Sequence, residues 1–193
     1  MANIKDEQFM IYNVDYEYRK YLYNYDNRVN LKANRRYTGI IIVLDHYKYF
    51  VPLTSRPLRN DGRKRNSRTT VEIYDEQNEL IAALLINNMI PVPDSCFELV
   101  DIPNDKDKDY LNSEYFYIRR SDVKKEIINK VEKVYRQVKW HQDSFMARFC
   151  CDFKLLESKC DDYNLKKYII REDIIHYFAT LSIPRIQSHT VQH

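Results

Sequence analysis

Two hydroxyl side chains, Thr54 and Ser55, stand directly before the most basic loop of the sequence. The apolar run before them, YKYFVPL (47–53), is typical of a strand, and residues 56–68 after them hold six Lys or Arg and a single acid. Hydroxyl and guanidinium groups at the end of a rigid strand can bind a phosphate group. The pattern therefore predicts a phosphate-binding site, unless the pair only closes a Ser/Thr turn on the local backbone.

Positive charge is concentrated in one part of the chain. Between Arg28 and Arg68 there are eleven Lys or Arg residues and two acids, a net charge of +9, whereas all 193 residues together carry only +3. Solvation alone favours interspersed charges, so a basic block beside strands indicates a polyanionic partner, nucleic acid before membrane. The alternative is a basic loop that serves only solubility.

The sequence offers few other catalytic devices. It has no His/Cys cluster with metal-ligand spacing and no G-x-S-x-G motif, and its two glycines leave no glycine-rich phosphate loop. His46, at a predicted turn, and His141, at a predicted helix end, have no evident partner residue. We therefore expect no cofactor and no metal. A DNA-directed nuclease is disfavoured, because two-metal chemistry needs an acidic cluster.

The cysteines and the apolar content predict a reducing compartment. None of the four cysteines forms a C-x-x-C pair, which favours buried, reduced thiols; they are Cys96, Cys150, Cys151 and Cys160. No stretch approaches the roughly 18 to 20 apolar residues of a membrane span, and the polar start MANIKDEQ lacks a signal-peptide core. We expect a cytoplasmic protein without membrane contact.

Strand patterns dominate the first half of the chain and must carry the basic loop. The predicted strands are residues 9–14, 37–44, 47–53, 69–74, 79–86 and 97–102. Asp45 and His46 make the turn of an antiparallel hairpin, and Pro52 indicates an edge or a bulge at its end of the strand. DEQN (75–78) is a turn, and NNMIPVP (87–93) is an irregular connection.

Helical periodicity replaces the strand pattern from about residue 107, after one earlier helix capped by Asp15. Two apolar faces are Tyr110, Leu111, Tyr115 and Ile118, then Val123, Ile127, Val131, Val134, Tyr135 and Val138. A third helix carries Phe149, Phe153, Leu156 and Cys160, and Asn164 caps a fourth that ends near Leu181.

Early strands and late helices favour an α+β fold. We expect a compact, strongly bent antiparallel sheet or barrel at about 9–102, with C-terminal helices at about 107–182 packed on it. Residues 1–183 then form a single domain, and 184–193 form a flexible tail.

Four ordered motifs resemble those of the ToxN/AbiQ family of endoribonuclease toxins, over roughly residues 9 to 163. They are Y-x-G-I-I-I (37–42), K-Y-F-V-P-L-T-S (48–55), N-N-M-I-P-V-P (87–93) and C-C-D-F-K-L-L-E-x-K-C (150–160). The resemblance implies a core like that of the MazF/Kid toxins and a metal-independent cut in RNA. The ribose 2′-hydroxyl would be the nucleophile, and the product would carry a 2′,3′-cyclic phosphate.

The resemblance also implies an unusual partner, an antitoxin RNA of short repeats that fold as pseudoknots in the groove of the toxin. Toxin and RNA would form ring-like oligomers, and the system would act in phage abortive infection or plasmid maintenance. Cellular or phage RNA would be the substrate. A non-catalytic RNA-binding regulatory module, using the same basic surface without cutting, is the main alternative.

The catalytic residues follow from the matched motifs. The family's T-S pair falls on Thr54 and Ser55, and its basic residue before the aromatic-x-G-I strand falls on Arg35. Some relatives place a Lys where this chain has Pro57, and an upstream Tyr has no clear counterpart around Leu31. The cationic role of that Lys must then pass to Arg56 or Arg59 or be absent.

The predicted RNA contacts come from the basic block. They are Arg28, Lys32, Arg36, Tyr37, Arg56, Arg59, Arg63, Lys64, Arg65 and Arg68. Tyr37, Tyr47 and Tyr49 could offer stacking platforms for bases, although strand aromatics lie more often in the core. Ser55 is expected to position or donate to the phosphate group, because one hydroxyl deprotonates another poorly. The identity of the general base stays open.

Overall fold

A computed structural model describes residues 9–31 and 38–165. The chain divides into two compact units, residues 1–160 and residues 161–193. Of the second unit only 161–165 are described; they are helical, so Asn164 lies inside a helix and not at the predicted helix start. The predicted tail, 184–193, lies outside the described residues. All elements named below belong to the first unit, and the extent of the single predicted domain stays a prediction.

Seven strands of the described residues form one antiparallel sheet, which confirms the α+β class. They are β1 (Tyr12–Val14), β2 (Thr38–Leu44), β3 (Tyr47–Thr54), β4 (Thr70–Tyr74), β5 (Leu80–Leu85), β6 (Ile90–Pro91) and β7 (Phe97–Leu99). The order is β4-β5-β3-β2-β1-β7, with β6 paired to β3. Within the described residues the sheet is open, because β4 pairs only with β5 and β7 only with β1. The barrel alternative is therefore wrong, since closure requires the two edge strands to meet.

The β2–β3 hairpin forms as the alternating apolar pattern predicts. Ile42 faces Tyr49 and Leu44 faces Tyr47 across the pair, and Asp45 turns the chain with a φ of 53°. Gly39 faces Pro52, and a Cβ atom on Gly39 would come within 2.1 Å of the Val51 carbonyl oxygen. Only glycine allows this approach, so the hairpin end beside Thr54 is closely packed.

The second side of β3 is shared by two strands. β6 pairs with Tyr49 and Phe50, and β5 pairs with Leu53 and Thr54. Neither pairing includes Val51 or Pro52. Pro52 thus lies where one neighbour ends and the next begins, a position that suits a residue without an N–H group.

The described residues contain three helices with complete bounds, α1 (Tyr16–Tyr23), α2 (Lys108–Ile118) and α3 (Ser121–Trp140). Residues 153–165 are also helical, and the part within the first unit, 153–160, is called α4. The Asp15 side chain accepts a hydrogen bond from the Tyr18 N–H at 2.8 Å, which confirms the predicted cap. The predicted face of α3 is buried in full. The predicted start of the third helix is wrong, because Phe149 lies in a short 3₁₀ turn, Ala147–Phe149, and is 57% exposed.

The core contains the apolar sides of β2, β3 and β5 and the buried side of α3. All four cysteines are buried and none of them forms a disulfide bond within the described residues, as expected for reduced thiols. Among the described residues, no helix is both long enough and apolar enough to cross a membrane.

Candidate active site

Thr54 and Ser55 lie at the end of β3, where pairing with β5 fixes the backbone. Leu53 pairs with Leu84 and Thr54 with Ala83. The Thr54 hydroxyl oxygen accepts a hydrogen bond from the Arg56 N–H at 3.2 Å, so the Ser/Thr turn that was the alternative to a phosphate site is present. This contact leaves the Thr54 hydroxyl proton available. The Ser55 side chain is exposed and makes no hydrogen bond within the described chain, so both hydroxyl groups can donate to a ligand.

Residues 56–68, here called the basic loop, fold back on themselves as an ordered turn. Leu58 and Lys64 form an isolated β-bridge, and the Arg59 N–H donates to the Arg63 carbonyl at 2.9 Å. Gly62 closes the turn with a φ of 76°, a conformation that favours glycine. The basic loop is therefore a defined surface and not an extended tether.

Three cations of the basic loop are paired with acids. Asp61 lies 2.6 Å from Arg63 Nη2 and 3.6 Å from Arg59 Nε, and Lys64 lies 3.3 Å from Glu72. The hydrogen bond from Arg63, followed by the charge of Arg59, lowers the pKa of Asp61. Exposed ion pairs of this kind contribute little stability, so a phosphate group can replace the acid at small cost.

Arg65 is placed differently from its neighbours. Its guanidinium donates to the carbonyl oxygen of Arg56 from Nη2 at 2.9 Å and from Nε at 3.3 Å. Burial lowers the pKa of Arg65, as does the charge of Arg59. A guanidinium has five N–H donors, so three remain after these two bonds. The fold thus fixes a cation beside the residue that follows Ser55, although the two residues it joins are nine positions apart.

Arg56 and Arg68, at the two ends of the basic loop, have exposed side chains that form no ion pair within the described chain. Next to Arg68, the Thr69 carbonyl accepts the N–H of Ile86 at 2.9 Å. The basic loop therefore begins directly after Ser55, and the residue that follows it, Thr69, is bonded to the 3₁₀ turn Ile86–Asn88.

Arg28 lies in a separate network that joins two of the sequence motifs. Its guanidinium lies 2.7 Å from the buried Asp26 carboxylate and donates to the Ala147 carbonyl at 3.2 Å. Its own carbonyl accepts from the Asn88 side chain at 2.9 Å. Burial alone would raise the pKa of Asp26, but hydrogen bonds from Arg28 and from the Asp152 N–H lower it. Arg28 has a structural role here, and its contact with RNA stays a prediction.

A second polar network, not anticipated from the sequence, joins β3, α3 and α4. Glu157 is buried and accepts from the Tyr49 hydroxyl at 2.9 Å, the Tyr135 hydroxyl at 2.7 Å and Lys139 at 3.1 Å. Lys139 also lies 3.0 Å from Asp45. Burial alone would lower the pKa of Lys139, yet its hydrogen bonds to Glu157 and Asp45 raise it. The network ties the turn of the hairpin to both helices.

Tyr49 is fully buried, so it belongs to the core and cannot be a stacking platform. Tyr47 is half-buried and its ring lies 4.2 Å from that of His46, at the opposite end of β3 from Ser55. His141 is exposed just after α3.

Four predicted site residues, Lys32, Arg35, Arg36 and Tyr37, lie outside the described residues. The structure therefore brings together Thr54, Ser55, Arg56 and Arg65, with Arg59, Arg63 and Lys64 on the same loop. Across the described part of the chain, no three His, Cys, Asp or Glu side chains are grouped so that they could hold a metal ion.

Known proteins are similar to this chain in sequence and in fold. A family model for toxin ToxN of type III toxin–antitoxin systems matches residues 10–161. The endoribonuclease ToxN of Bacillus thuringiensis subsp. kurstaki is 34% identical over 177 residues, which cover 84% of this chain and 87% of that protein.

Two solved structures are similar. One, from work on type III toxin–antitoxin systems in which a non-coding RNA pseudoknot selectively inhibits the toxin, has a TM-score of 0.70 and 32% identity over 80% of this chain and 97% of the other. The second is AbiQ, a lactococcal anti-phage endoribonuclease, with a TM-score of 0.68 and 28% identity over 80% of this chain and 97% of the other.

Proposed function

The chain belongs to the ToxN family of type III toxin–antitoxin systems, and we propose that it is a sequence-selective endoribonuclease that cuts single-stranded RNA. The observation that carries this proposal is the position of Arg65 beside the Thr54–Ser55–Arg56 segment. Two hydroxyl donors and a fixed guanidinium at the end of one strand suit a phosphate group.

Cleavage proceeds by attack of the ribose 2′-oxygen on the adjacent phosphorus. The new P–O2′ bond forms and the P–O5′ bond breaks, which gives a 2′,3′-cyclic phosphate and a 5′-hydroxyl group. The 2′-hydroxyl proton passes to solvent water during the attack, and the departing 5′-oxygen takes up a proton from solvent water, so no proton is gained or lost overall. The phosphorane between these states carries extra negative charge, which donors and cations stabilise; one well-placed donor contributes about 3 to 4 kcal/mol.

Each residue of the site has a separate role in this mechanism. Ser55 and Thr54 donate to the phosphorane oxygens, and Arg65 supplies a fixed positive charge beside them. Arg56, which is exposed and next to Ser55, takes the cationic position that a Lys holds in some relatives. Arg35 is proposed as the further catalytic cation on the motif match alone. This donor set stabilises the charge without a metal ion, so the reaction is proposed to be metal-independent.

An antitoxin RNA is the proposed inhibitor. A type III relative is inhibited by a non-coding RNA pseudoknot, and the exposed cations Arg56 and Arg68, which form no ion pair with another described residue, offer such an RNA a phosphate-binding surface here. Short repeats of this RNA, each a pseudoknot, would occupy the groove and join toxins into a ring-like oligomer. The proposed role is defence against phage, as for AbiQ, or plasmid maintenance, and the proposed location is the cytoplasm. A core related to that of the MazF/Kid toxins, built on an open sheet and not on a closed barrel, is part of the same proposal.

Substitution at the scissile nucleotide tests the function. A single 2′-deoxy residue there should stop cleavage and leave binding intact, because only the nucleophile is removed. An RNA-binding module without activity would bind both oligonucleotides and cut neither. A nuclease that cuts both at equal rates would not use the 2′-oxygen.

A further inference from the structure

Phe145 and Phe149 are exposed side by side on the turn that follows α3. Their side chains are 71% and 57% exposed, and their ring centroids lie 4.9 Å apart with an interplanar angle of 62°. Contiguous exposed apolar surface on a soluble protein often marks a binding site. Neither ring is needed to fill the core, since both lie largely outside it.

The backbone beneath the two rings is held by side chains from distant parts of the chain. Arg28 donates to the Ala147 carbonyl at 3.2 Å, and Asn87 donates to the Phe149 carbonyl at 3.2 Å. Asn87 is itself fixed, because its carbonyl accepts the Cys151 N–H at 2.8 Å. These bonds order the turn before any ligand arrives, which reduces the entropy lost on binding.

The aromatic pair is connected to the end of the basic loop through the 3₁₀ turn Ile86–Asn88. Asn87, which holds Phe149, is adjacent to Ile86, whose N–H bonds to Thr69, the residue after Arg68. Asn87 is also four residues beyond Ala83, the strand partner of Thr54, a separation of at most about 13 Å along an extended chain. The backbones of Thr54 and Phe149 are thus both bonded to the short segment 83–87.

The charge beside the rings favours nucleic acid as the occupant. Arg148 is the sole charged residue between Phe145 and Phe149 in sequence, is exposed, and forms no ion pair within the described chain. Unpaired bases stack on aromatic rings irrespective of their sequence, and a nearby cation binds the phosphate backbone. A purely apolar partner surface would cover the rings but would leave Arg148 without a counter-charge.

We propose that Phe145 and Phe149 form a stacking site for unpaired bases of single-stranded RNA, with Arg148 as its phosphate contact. The inference rests on the proposed function, since it assigns the site to the RNA that the active site would cut. Arg28 and Asn87 act as positioning residues for this site.

The test is binding of a single-stranded RNA of about ten nucleotides that carries 2-aminopurine, whose fluorescence falls on stacking. It is measured on the full chain with Ser55→Ala, so that the probe stays intact. Phe149→Ala and Phe145→Ala should each weaken binding by roughly fivefold to 100-fold and remove the quenching. Phe149→Tyr should retain both, whereas Phe149→Leu should lose the quenching although it keeps an apolar side chain.

Phe116→Ala is the matched control, because Phe116 is 66% exposed on α2 and belongs to neither site. Unchanged affinity and quenching in both alanine variants would overturn the proposal. So would self-association of the chain, seen by light scattering, that depends on the two rings while RNA binding does not. Failure of the parent chain to cut RNA would contradict the proposed function alone, because stacking is measured without cleavage. If Phe149→Ala lowers the melting temperature, the quenching measured with Phe149→Tyr and Phe149→Leu decides: equal quenching in these two variants would overturn the proposal.

Discussion

The guanidinium of Arg65 donates two hydrogen bonds to the carbonyl oxygen of Arg56, at 2.9 and 3.3 Å. The far end of the basic loop is thereby attached to the residue after Ser55. Both residues are accessible to a ligand, because Arg56 is exposed and Arg65 is only half-buried. The two hydrogen bonds to the Arg56 carbonyl therefore hold the Arg65 guanidinium next to the segment that carries the Thr54 and Ser55 hydroxyl groups.

Arg65→Ala should lower the rate of RNA cleavage by about 100-fold, because the phosphorane loses a fixed donor. Arg65→Lys should recover only part of the rate, since an ammonium group cannot bond the Arg56 carbonyl and a phosphate group with the same geometry. Arg120→Ala, which removes an exposed arginine that pairs with Asp122, is the control. Equal rates for Arg65→Ala and Arg120→Ala would remove Arg65 from the site.

Ser55→Ala should lower the turnover of RNA by about 100- to 1000-fold and abolish growth inhibition. Its melting temperature and its affinity for antitoxin RNA should stay the same, because the hydroxyl makes no contact within the described chain and acts in the transition state. Ser67→Ala, an exposed serine in the same loop, should behave as the parent protein. Full toxicity of Ser55→Ala at equal expression would contradict the assignment.

The salt dependence of RNA binding separates phosphate contacts from solvating charge. Arg56→Ala and Arg68→Ala should each reduce the slope of log Kd against log salt by about 0.7 to 1, because each removes one neutralised phosphate. The affinity loss should be similar for unrelated RNA sequences. Lys125→Ala, an exposed cation on α3, should leave the slope as it is, and an unchanged slope in the two arginine variants would show that the loop only serves solubility.

Glu114 predicts a pH dependence of stability. It is a buried residue of α2, and burial raises its pKa to about 7. The folded protein then binds a proton more tightly than the unfolded chain, so the free energy of unfolding falls as pH rises from about 4 to 7. Glu114→Gln should remove this fall and stabilise the protein at pH 8 by about 2 to 3 kcal/mol, with no gain below pH 4.

Urea unfolding of both proteins between pH 4 and 8 gives the measurement. Glu98→Gln, an exposed carboxyl group, controls for the change in net charge. A constant difference between Glu114→Gln and the parent protein at all pH values would rule out titration of Glu114 as the cause.

Sequence patterns predict the elements that are determined by residues close together in the chain. The β2–β3 hairpin, the Asp15 cap and the apolar face of α3 follow from alternation, capping and helical period. The period could not place the start of α4, because Phe149 fits the spacing yet lies on an exposed turn. Apolar type does not distinguish a core residue from a surface stacking residue.

Contacts between distant residues could not be predicted from the sequence. Tyr49 and Glu157 are 108 positions apart, and their hydrogen bond explains why Tyr49 is buried and not a platform. The sharing of β3 by β5 and β6 depends on pairings that no single strand pattern encodes, and so does the failure of the edge strands β4 and β7 to pair. Asn87 and Asn88 belong to a sequence motif, but only the structure shows that their side chains donate hydrogen bonds to the carbonyl groups of Phe149 and Arg28.

End-group analysis of one oligonucleotide cleaved in excess EDTA decides between attack by the 2′-oxygen and attack by water. We expect cleavage in EDTA, with a 2′,3′-cyclic phosphate on one product and a 5′-hydroxyl group on the other. The reason is that the nucleophile is the 2′-oxygen of the substrate and the charge is stabilised by Ser55, Thr54 and Arg65. A metal-activated water would normally leave a 5′-phosphate and a free 3′-hydroxyl group. A 5′-phosphate product, or activity that returns only on addition of Mg²⁺, would contradict the mechanism.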